Sequence, residues 1–340
     1  LIALAAFSLV LSALPAPAAD DSPAPRLLIL GIDGCRPDAL QRANTPNLDS
    51  LRDGGAWSMQ ALTDPITMSG PCWTSMLTGV WNSKHGVRSN DYEDPNTERF
   101  PHFFVRLKRH RPEAETVSIV NWAPIHKVLP KAAADVRKSP GKDAAVAKAA
   151  VEVLRTANAA VVFVAFDDVD HAGHEFGFSP DNADYLEAIE KVDGYAGTIL
   201  EALRSRPRFA EERWLILSAN DHGGRGKGHG GLSAEERTIF LIASGDGVRP
   251  GEIVPPPAIV DVAATALVHL GVPLADLRDL DGAPVGIALP EVPESGSPLW
   301  LWLVEKRLRI MDEQGHAPDR GSQEWMMAVS RKTGVIDPQG

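Results

Sequence analysis

Seven residues of this sequence have the side-chain types and spacing that two metal ions and a nucleophile require. Asp33 closes the apolar run Leu27–Ile32 and is followed by Gly34. Asp170 and His174 lie four apart in Asp170-His171-Ala172-Gly173-His174, a spacing that puts both on one face of a helix. Asp221 and His222 are adjacent and precede Gly223, and His229 stands between Gly228 and Gly230 in a loop with wide backbone freedom. Ser69 precedes Gly70-Pro71, where a helix is expected to start. Zinc takes mixed His and Asp ligands at about 2.0–2.2 Å and keeps an open position when catalytic. Two such ions about 3.5–4 Å apart clamp the attacking and leaving oxygens of a phosphoryl transfer. A metal beside a serine activates the hydroxyl as a nucleophile, and a helix N-terminus favours the negative charge that results. Each residue alone has a plainer meaning. Asp-His before Gly is also a capped turn, and Ser69 is also a helix N-cap. His85 and His171 are expected outside the ligand set, exposed or orienting its members.

The elements that must hold these residues alternate. Leu27–Ile32, Thr116–Val120, Ala160–Phe166, Trp214–Ser218 and Thr238–Ala243 read as buried strands. Thr45–Asp53, Cys72–Leu77, Pro101–Arg109, Lys142–Arg155, Asp181–Arg204 and Ala258–Leu270 read as helices. Such alternation argues an α/β fold, a mostly parallel central sheet with helices on both faces. Ligands of such sheets sit at the carboxyl ends of the strands. Asp33, Asp170 and Asp221 each fall at or just past a strand end, so three strand ends point at one site. Residues 81–141, richer in charge, Pro and aromatics, are where a small inserted cap is expected. Residues 290–298 read as a linker, with a helix expected from Leu299 to Asp312 in a tail that runs to Gly340.

The chain is long enough, at 340 residues, for one large domain with an insertion. Its net charge of −11 disfavours a nucleic-acid duplex as partner, while bound cations would still admit a small anion. The run Leu1–Leu14 is too short to span a bilayer, and Ala16-Pro17-Ala18 follows as a small-x-small cleavage pattern. Residues 1–18 are therefore expected to be part of a signal peptide, and the protein to be periplasmic or secreted. Two cysteines, Cys35 and Cys72, make no disulfide framework and read as small buried apolar residues, with a bridge as the alternative in an oxidising compartment.

Taken together these residues resemble the nucleotide pyrophosphatase/phosphodiesterase family of the alkaline phosphatase superfamily, over about Leu27 to Leu289. Leu30-Gly31-Ile32-Asp33-Gly34 is similar to the family's first strand and metal-binding Asp. Thr45-Pro46-Asn47-Leu48 resembles its next segment. Ser69-Gly70-Pro71 through Val80, with Lys84-His85-Gly86-Val87, is similar to its nucleophile helix, with Ser where the family usually has Thr. Asp168-Val169-Asp170-His171-Ala172-Gly173-His174 resembles its acidic-Pro-Asp-x-x-Gly-His segment, with Val169 in place of Pro. Asp221-His222-Gly223 and His229-Gly230 match its last ligands. The sulfatase branch of the superfamily has Arg where Trp73 stands.

The resemblance implies an alkaline-phosphatase-like three-layer sandwich over residues 26–289. It implies two zinc ions per chain, one held by Asp170, His174 and His229 and one surrounded by Asp33, Ser69, Asp221 and His222. Asn90 falls where the family binds a phosphoryl oxygen. Trp122, His126 and Lys127 fall near its substrate pocket. Trp122 offers a face for stacking and the two basic residues offer contacts to phosphate, although a buried Trp beside two surface cations reads equally well. The expectation is a metal-dependent phosphodiesterase with a Ser69 nucleophile and a small phosphate-ester substrate. A phosphomonoesterase or sulfatase, or a secreted zinc-binding protein without turnover, are the alternatives.

Overall fold

The computed structural model describes residues 23–310, 318–320 and 322–333. The expected signal peptide at 1–18 lies outside the described residues. Eight strands form one sheet: β1 (Pro25–Ile32), β2 (Ala56–Leu62), β3 (Thr116–Val120), β4 (Val136–Lys138), β5 (Val161–Phe166), β6 (Arg213–Asn220), β7 (Thr238–Gly245) and β8 (Gly251–Glu252). Their order is β4-β3-β5-β1-β6-β7-β2-β8. Helices of two turns or more are α1 (Pro46–Asp53), α2 (Ser69–Thr78), α3 (Phe103–His110), α4 (Asp143–Thr156), α5 (Asp168–Phe176), α6 (Ala183–Arg204), α7 (Asp261–His269), α8 (Pro298–Leu308) and α9 (Gln323–Thr333).

β1 shows why its sequence is a continuous apolar run. Leu27 and Ile29 face a core built with α2, α3, α7 and Trp302 of α8. Leu28, Leu30 and Ile32 face a second core with α1, α4 and α6. A strand covered on both faces has no polar side to alternate with. The fold is thus the expected three-layer α/β sandwich. Cys35 and Cys72 are buried, free thiols, one in each core.

The run β4-β3-β5-β1-β6 is parallel, but β7 runs antiparallel to both β6 and β2. Between Asn220 and Thr238 there is only the glycine-rich loop and one helical turn, Ala234–Arg237, with no crossover helix to reverse the chain. Segment 81–141 holds α3 and supplies β3 and β4 to this sheet. No helix among the described residues is long and apolar enough to cross a membrane.

Candidate metal centre

β5, β1 and β6 are neighbours, so their carboxyl ends open at one place. Asp33 follows β1, Asp167 follows β5 and Asp221 follows β6. Asp170 comes from the first turn and His174 from the last turn of α5, and His222 and His229 from the loop after β6. Three overlapping sets, Asp170/His222/His229, Asp33/Asp221/His222 and Asp33/Asp167/Asp170, have donor atoms within 4.8 Å of one another. His174 joins through Nε2, 3.2 Å from Asp170 Oδ2 and 3.1 Å from His229 Nε2.

Each of the three expected carboxylate ligands is anchored by one oxygen and bare at the other. Asp33 Oδ2 accepts from the Trp73 indole at 2.8 Å. Asp221 Oδ1 accepts from the backbone of Gly34 at 3.1 Å and of His222 at 2.8 Å. Asp170 Oδ2 meets His174. Asp33 Oδ1, Asp170 Oδ1 and Asp221 Oδ2 are buried with no hydrogen-bond partner. The imidazoles follow the same rule. Nδ1 of His174 lies 2.9 Å from the Lys227 carbonyl, that of His222 2.8 Å from the Gly223 carbonyl, and that of His229 2.8 Å from the Thr67 carbonyl. A carbonyl only accepts, so each Nδ1 carries a proton and each ring turns Nε2 inward; Nε2 of His174 also carries one while it bonds Asp170, and would give it up to a metal. Nε2 of His174 and Nε2 of His229 lie 3.1 Å apart. A divalent cation between them, with the bare carboxylate oxygens, completes every valence left open, and the donor chemistry suits zinc.

Charge balance points the same way. Burial, with the charges of Asp221, Asp170 and Asp167, pushes the Asp33 carboxyl well above its ordinary range. Burial lifts Asp221 to about 6 and Asp167 to about 7. Asp170 is equally desolvated, yet the hydrogen bond from His174 and the facing His222 and His229 hold it below the ordinary value. The hydrogen bond to Asp170 raises His174 to about 9, and burial drops His229 to about 4. Four carboxylates crowded out of water need compensating cations.

Local structure fixes these positions. Gly34 turns at φ +66°, and a Cβ there would come 2.5 Å from Asp170 Oδ1, so only glycine lets Asp33 and Asp170 approach. Tyr185 clamps that turn, donating to the Gly34 carbonyl at 2.5 Å and accepting from the Arg36 N–H at 2.9 Å. Asp143 of α4 accepts from the backbone of Asp167 at 3.0 Å and of Asp168 at 2.9 Å, satisfying the exposed donors where α5 begins. Asn121 braces Asp143 at 2.8 Å.

Ser69 is the first helical residue of α2, and Met68, in extended conformation, takes the N-cap position. The serine is therefore not the cap, and its Oγ lies 3.3 Å from His222 Nε2. Asn90 Oδ1 accepts from the Gly70 N–H at 2.8 Å, tying Asn90 to the same helix end. Thr67 Oγ1 donates to Gly231 at 2.8 Å and accepts from the Gly230 N–H at 3.0 Å, so the segment before Ser69 grips the His229 loop.

The family model described as Type I phosphodiesterase / nucleotide pyrophosphatase matches residues 27–147 and 119–225, together more than half of the chain. The chain belongs to this family. Bis(5'-adenosyl)-triphosphatase ENPP4 of Bos taurus is 24% identical over 220 residues, covering 58% of this chain and 47% of that protein. The chain spans about half the length of the curated relatives it matches. The solved murine ectonucleotide pyrophosphatase/phosphodiesterase 5, an inactive form with AMP, superposes with a TM-score of 0.60 at 14% identity, over 83% of this chain and 99% of that one. A 2-O GAG sulfatase superposes with a TM-score of 0.61 at 15% identity, over 74% and 71%. At such identities these two likenesses speak to the fold.

Within the family frame, the structure gathers Asp33, Ser69, Asp170, His174, Asp221, His222 and His229 at one centre, with Asn90 at its helix end. Trp122, His126 and Lys127 are not among its donor groups. Trp122 is half-buried, its ring 6.3 Å from Tyr92, and Lys127 donates to the Asp91 carbonyl at 3.2 Å. His126 is buried between two serine hydroxyls. His171 is exposed and pairs with Asp167 at 3.2 Å, whereas His85 is fully buried against Ser75 at 2.9 Å. Sequence reasoning missed Asp167, Asp143 and the indole of Trp73. Asp167 did leave a signal, since Asp167/His171 repeats the four-residue spacing of Asp170/His174 three positions earlier.

Proposed function

We propose that this chain is an exported two-zinc phosphodiesterase of the nucleotide pyrophosphatase type, with Ser69 as nucleophile. One observation carries the reading: every carboxylate oxygen and imidazole nitrogen left unbonded at the centre faces the others. Asp170, His174 and His229 hold one zinc, and Asp33, Asp221 and His222 with Ser69 surround the other. Bound there, the ions supply Lewis acidity for the attacking and leaving oxygens.

The chain's own residues do the rest. Ser69 Oγ forms a bond to phosphorus as the bond to the leaving oxygen breaks, the serine proton ending on that leaving alcohol, and gives a phosphoseryl ester that still carries the substrate's other alcohol group. Water then attacks that phosphorus and returns the serine hydroxyl. The Ser69 N–H at the start of α2 supports the equatorial oxygens, and Asn90, whose Oδ1 is engaged by Gly70, has Nδ2 to donate to them. Carbonyls fixing Nδ1 of three histidines keep the rings from rotating as charge moves. Trp122 offers a half-buried face to a nucleobase or aryl leaving group and the exposed Lys127 a cation to phosphate, whereas His126, both ring nitrogens engaged by serines, has no donor left for it. The apolar run Leu1–Leu14 with Ala16-Pro17-Ala18 supports export to the periplasm or beyond.

The test is a panel of a phosphodiester, a phosphomonoester and a sulfate ester, run beside metal analysis. About two zinc ions per chain, diester preference, loss of turnover on chelation and recovery with zinc are expected. Ser69→Ala should lose nearly all turnover and stay folded, because it removes no helix cap. Near-normal turnover in that variant, or full activity with less than one zinc, overturns the proposal. Sulfate-ester preference would select the sulfatase reading, which Trp73 in the place of Arg disfavours. Zinc uptake with no turnover on any ester would select a binding protein.

A further inference from the structure

Beside the edge strand β4 lies a second concavity. It is a cavity of about 440 Å³ lined by Ala123, His126, Lys131, Arg137 and Ser139. The chain that builds it runs from the end of β3 through two short helical turns, Ala123–Val128 and Lys131–Ala133, into β4. We infer that this cavity is an anion subsite for a phosphate-class group, resting on the phosphodiesterase reading of the neighbouring centre.

Three observations support it. The wall is built rather than incidental. His126 is 4% exposed, with Nε2 2.9 Å from Ser118 Oγ inside β3 and Nδ1 3.1 Å from Ser139 Oγ on the cavity rim. That imidazole fixes the Ser139 hydroxyl in place, and burial with the nearby Arg137 keeps it neutral, down at about 4. The charge is concentrated. Residues 126–142 hold Lys127, Lys131, Arg137, Lys138 and Lys142 against one acid, Asp135, in a chain of net charge −11. Asp135 is already engaged by Lys108 at 2.6 Å and by the Thr116 backbone at 2.8 Å, on the other side of β3. The donors match the ligand. Arg137 uses one N–H on the Leu129 carbonyl at 3.3 Å, leaving the rest of its fork, and Lys131 and Ser139 add a mobile cation and a hydroxyl.

Position gives the subsite a use. In the order β4-β3-β5-β1, the ends of β4 and β1 are three strand spacings apart, ~14 Å at about 4.8 Å each. An elongated ester with a second phosphate can put one phosphorus at Ser69 and the other at Lys131 and Arg137. A compact aryl diester cannot reach. Free phosphate has the same chemistry, and the experiment separates the two sources.

Binding is measured first, by calorimetry of inorganic pyrophosphate on the full chain stripped of metal with chelator. Stripped of cations, the carboxylate cluster repels anions, so uptake reports the basic cavity and needs no catalysis. The wild type should bind, and Lys131→Ala/Arg137→Ala should bind at least tenfold more weakly at an unchanged melting temperature. Kinetics of the zinc-loaded proteins then compare a dinucleoside polyphosphate with bis(p-nitrophenyl) phosphate. A KM about tenfold higher for the long substrate alone, at constant kcat, assigns the cavity to the remote phosphate. Unchanged KM on both substrates with lost pyrophosphate binding assigns it to the free anion. Equal pyrophosphate affinity in wild type and variant, or none in either, overturns the subsite whatever the assays show.

Discussion

Replacing Trp73 by Phe tests whether the centre depends on a hydrogen bond from outside the ligand set. Trp73 is fully buried in α2, and its Nε1–H donates to Asp33 Oδ2 at 2.8 Å, leaving Oδ1 toward His222 Nε2 at 3.4 Å. The ring cannot turn away. It rests on Gly31, where a Cβ would come 2.5 Å from it, and meets Phe163 edge-on at 5.9 Å. Phenylalanine keeps most of the packing and loses the donor. The smaller ring leaves a void of ~40 Å³, about 1 kcal/mol of stability with or without metal. The lost bond acts on Asp33 when it is ionised, and bonds to charged groups contribute about 1.5–3 kcal/mol. Zinc affinity should therefore fall by about 10–100-fold, the usual effect of losing a partner that orients a metal ligand. The assay is zinc competition against a chromophoric chelator, with melting curves in chelator as the packing control. Unchanged zinc affinity with a lowered melting temperature would refute the reasoning and leave Trp73 as core filling alone.

Two further predictions use other parts of the molecule. Gly34→Ala forces a side chain into positive φ and against both the carboxylate and the backbone of Asp170, so turnover should drop about 100-fold as the ligand shifts and the melting temperature should fall clearly with it; wild-type turnover would mean Asp170 does not act where the structure puts it. Glu212 is held down at about 2, first by the hydrogen bonds from Arg206 and then by Trp214 and Arg26. Its folded value lies below the unfolded one, so its contribution is present above about 4.5 and vanishes as pH falls toward 2. Allowing for solvent screening, Glu212→Gln should cost about 2 kcal/mol in urea unfolding at pH 7, with the gap closing as the pH is lowered to 3; a gap that stays constant with pH would show that the carboxylate charge contributes nothing.

What the sequence disclosed follows from the range of the interactions involved. β1, β3, β5, β6 and β7 were legible because strands buried in a sandwich interior carry nearly unbroken apolar runs. β2 was not, since Ala56–Leu62 contains Ser58 and Gln60 and is interrupted by an irregular register with β7. The ligands were legible because they close those runs or sit at helical and glycine-loop spacing. Trp73 was not, because an indole in an apolar helix looks like core, and its acceptor lies forty positions away, just past the end of β1. Asp143 was hidden for the same reason, its partners being backbone N–H groups more than twenty residues on.

The centre itself depends on something no local pattern encodes, which is strand order. Asp33, Asp170 and Asp221 would follow strand ends in any permutation of the sheet. They meet because β1 lies between β5 and β6, one strand spacing of about 4.8 Å from each. Moving β6 to the place of β2 would leave every motif intact and carry Asp221 ~14 Å from Asp33, beyond any shared ion. The order is set by which apolar faces can be covered at once. β1 is buried on both faces between two cores and is paired along its whole length with β6. The packing that buries β1 on both faces is therefore the same packing that brings three carboxylates together, so stability and site geometry cannot be altered independently at this strand.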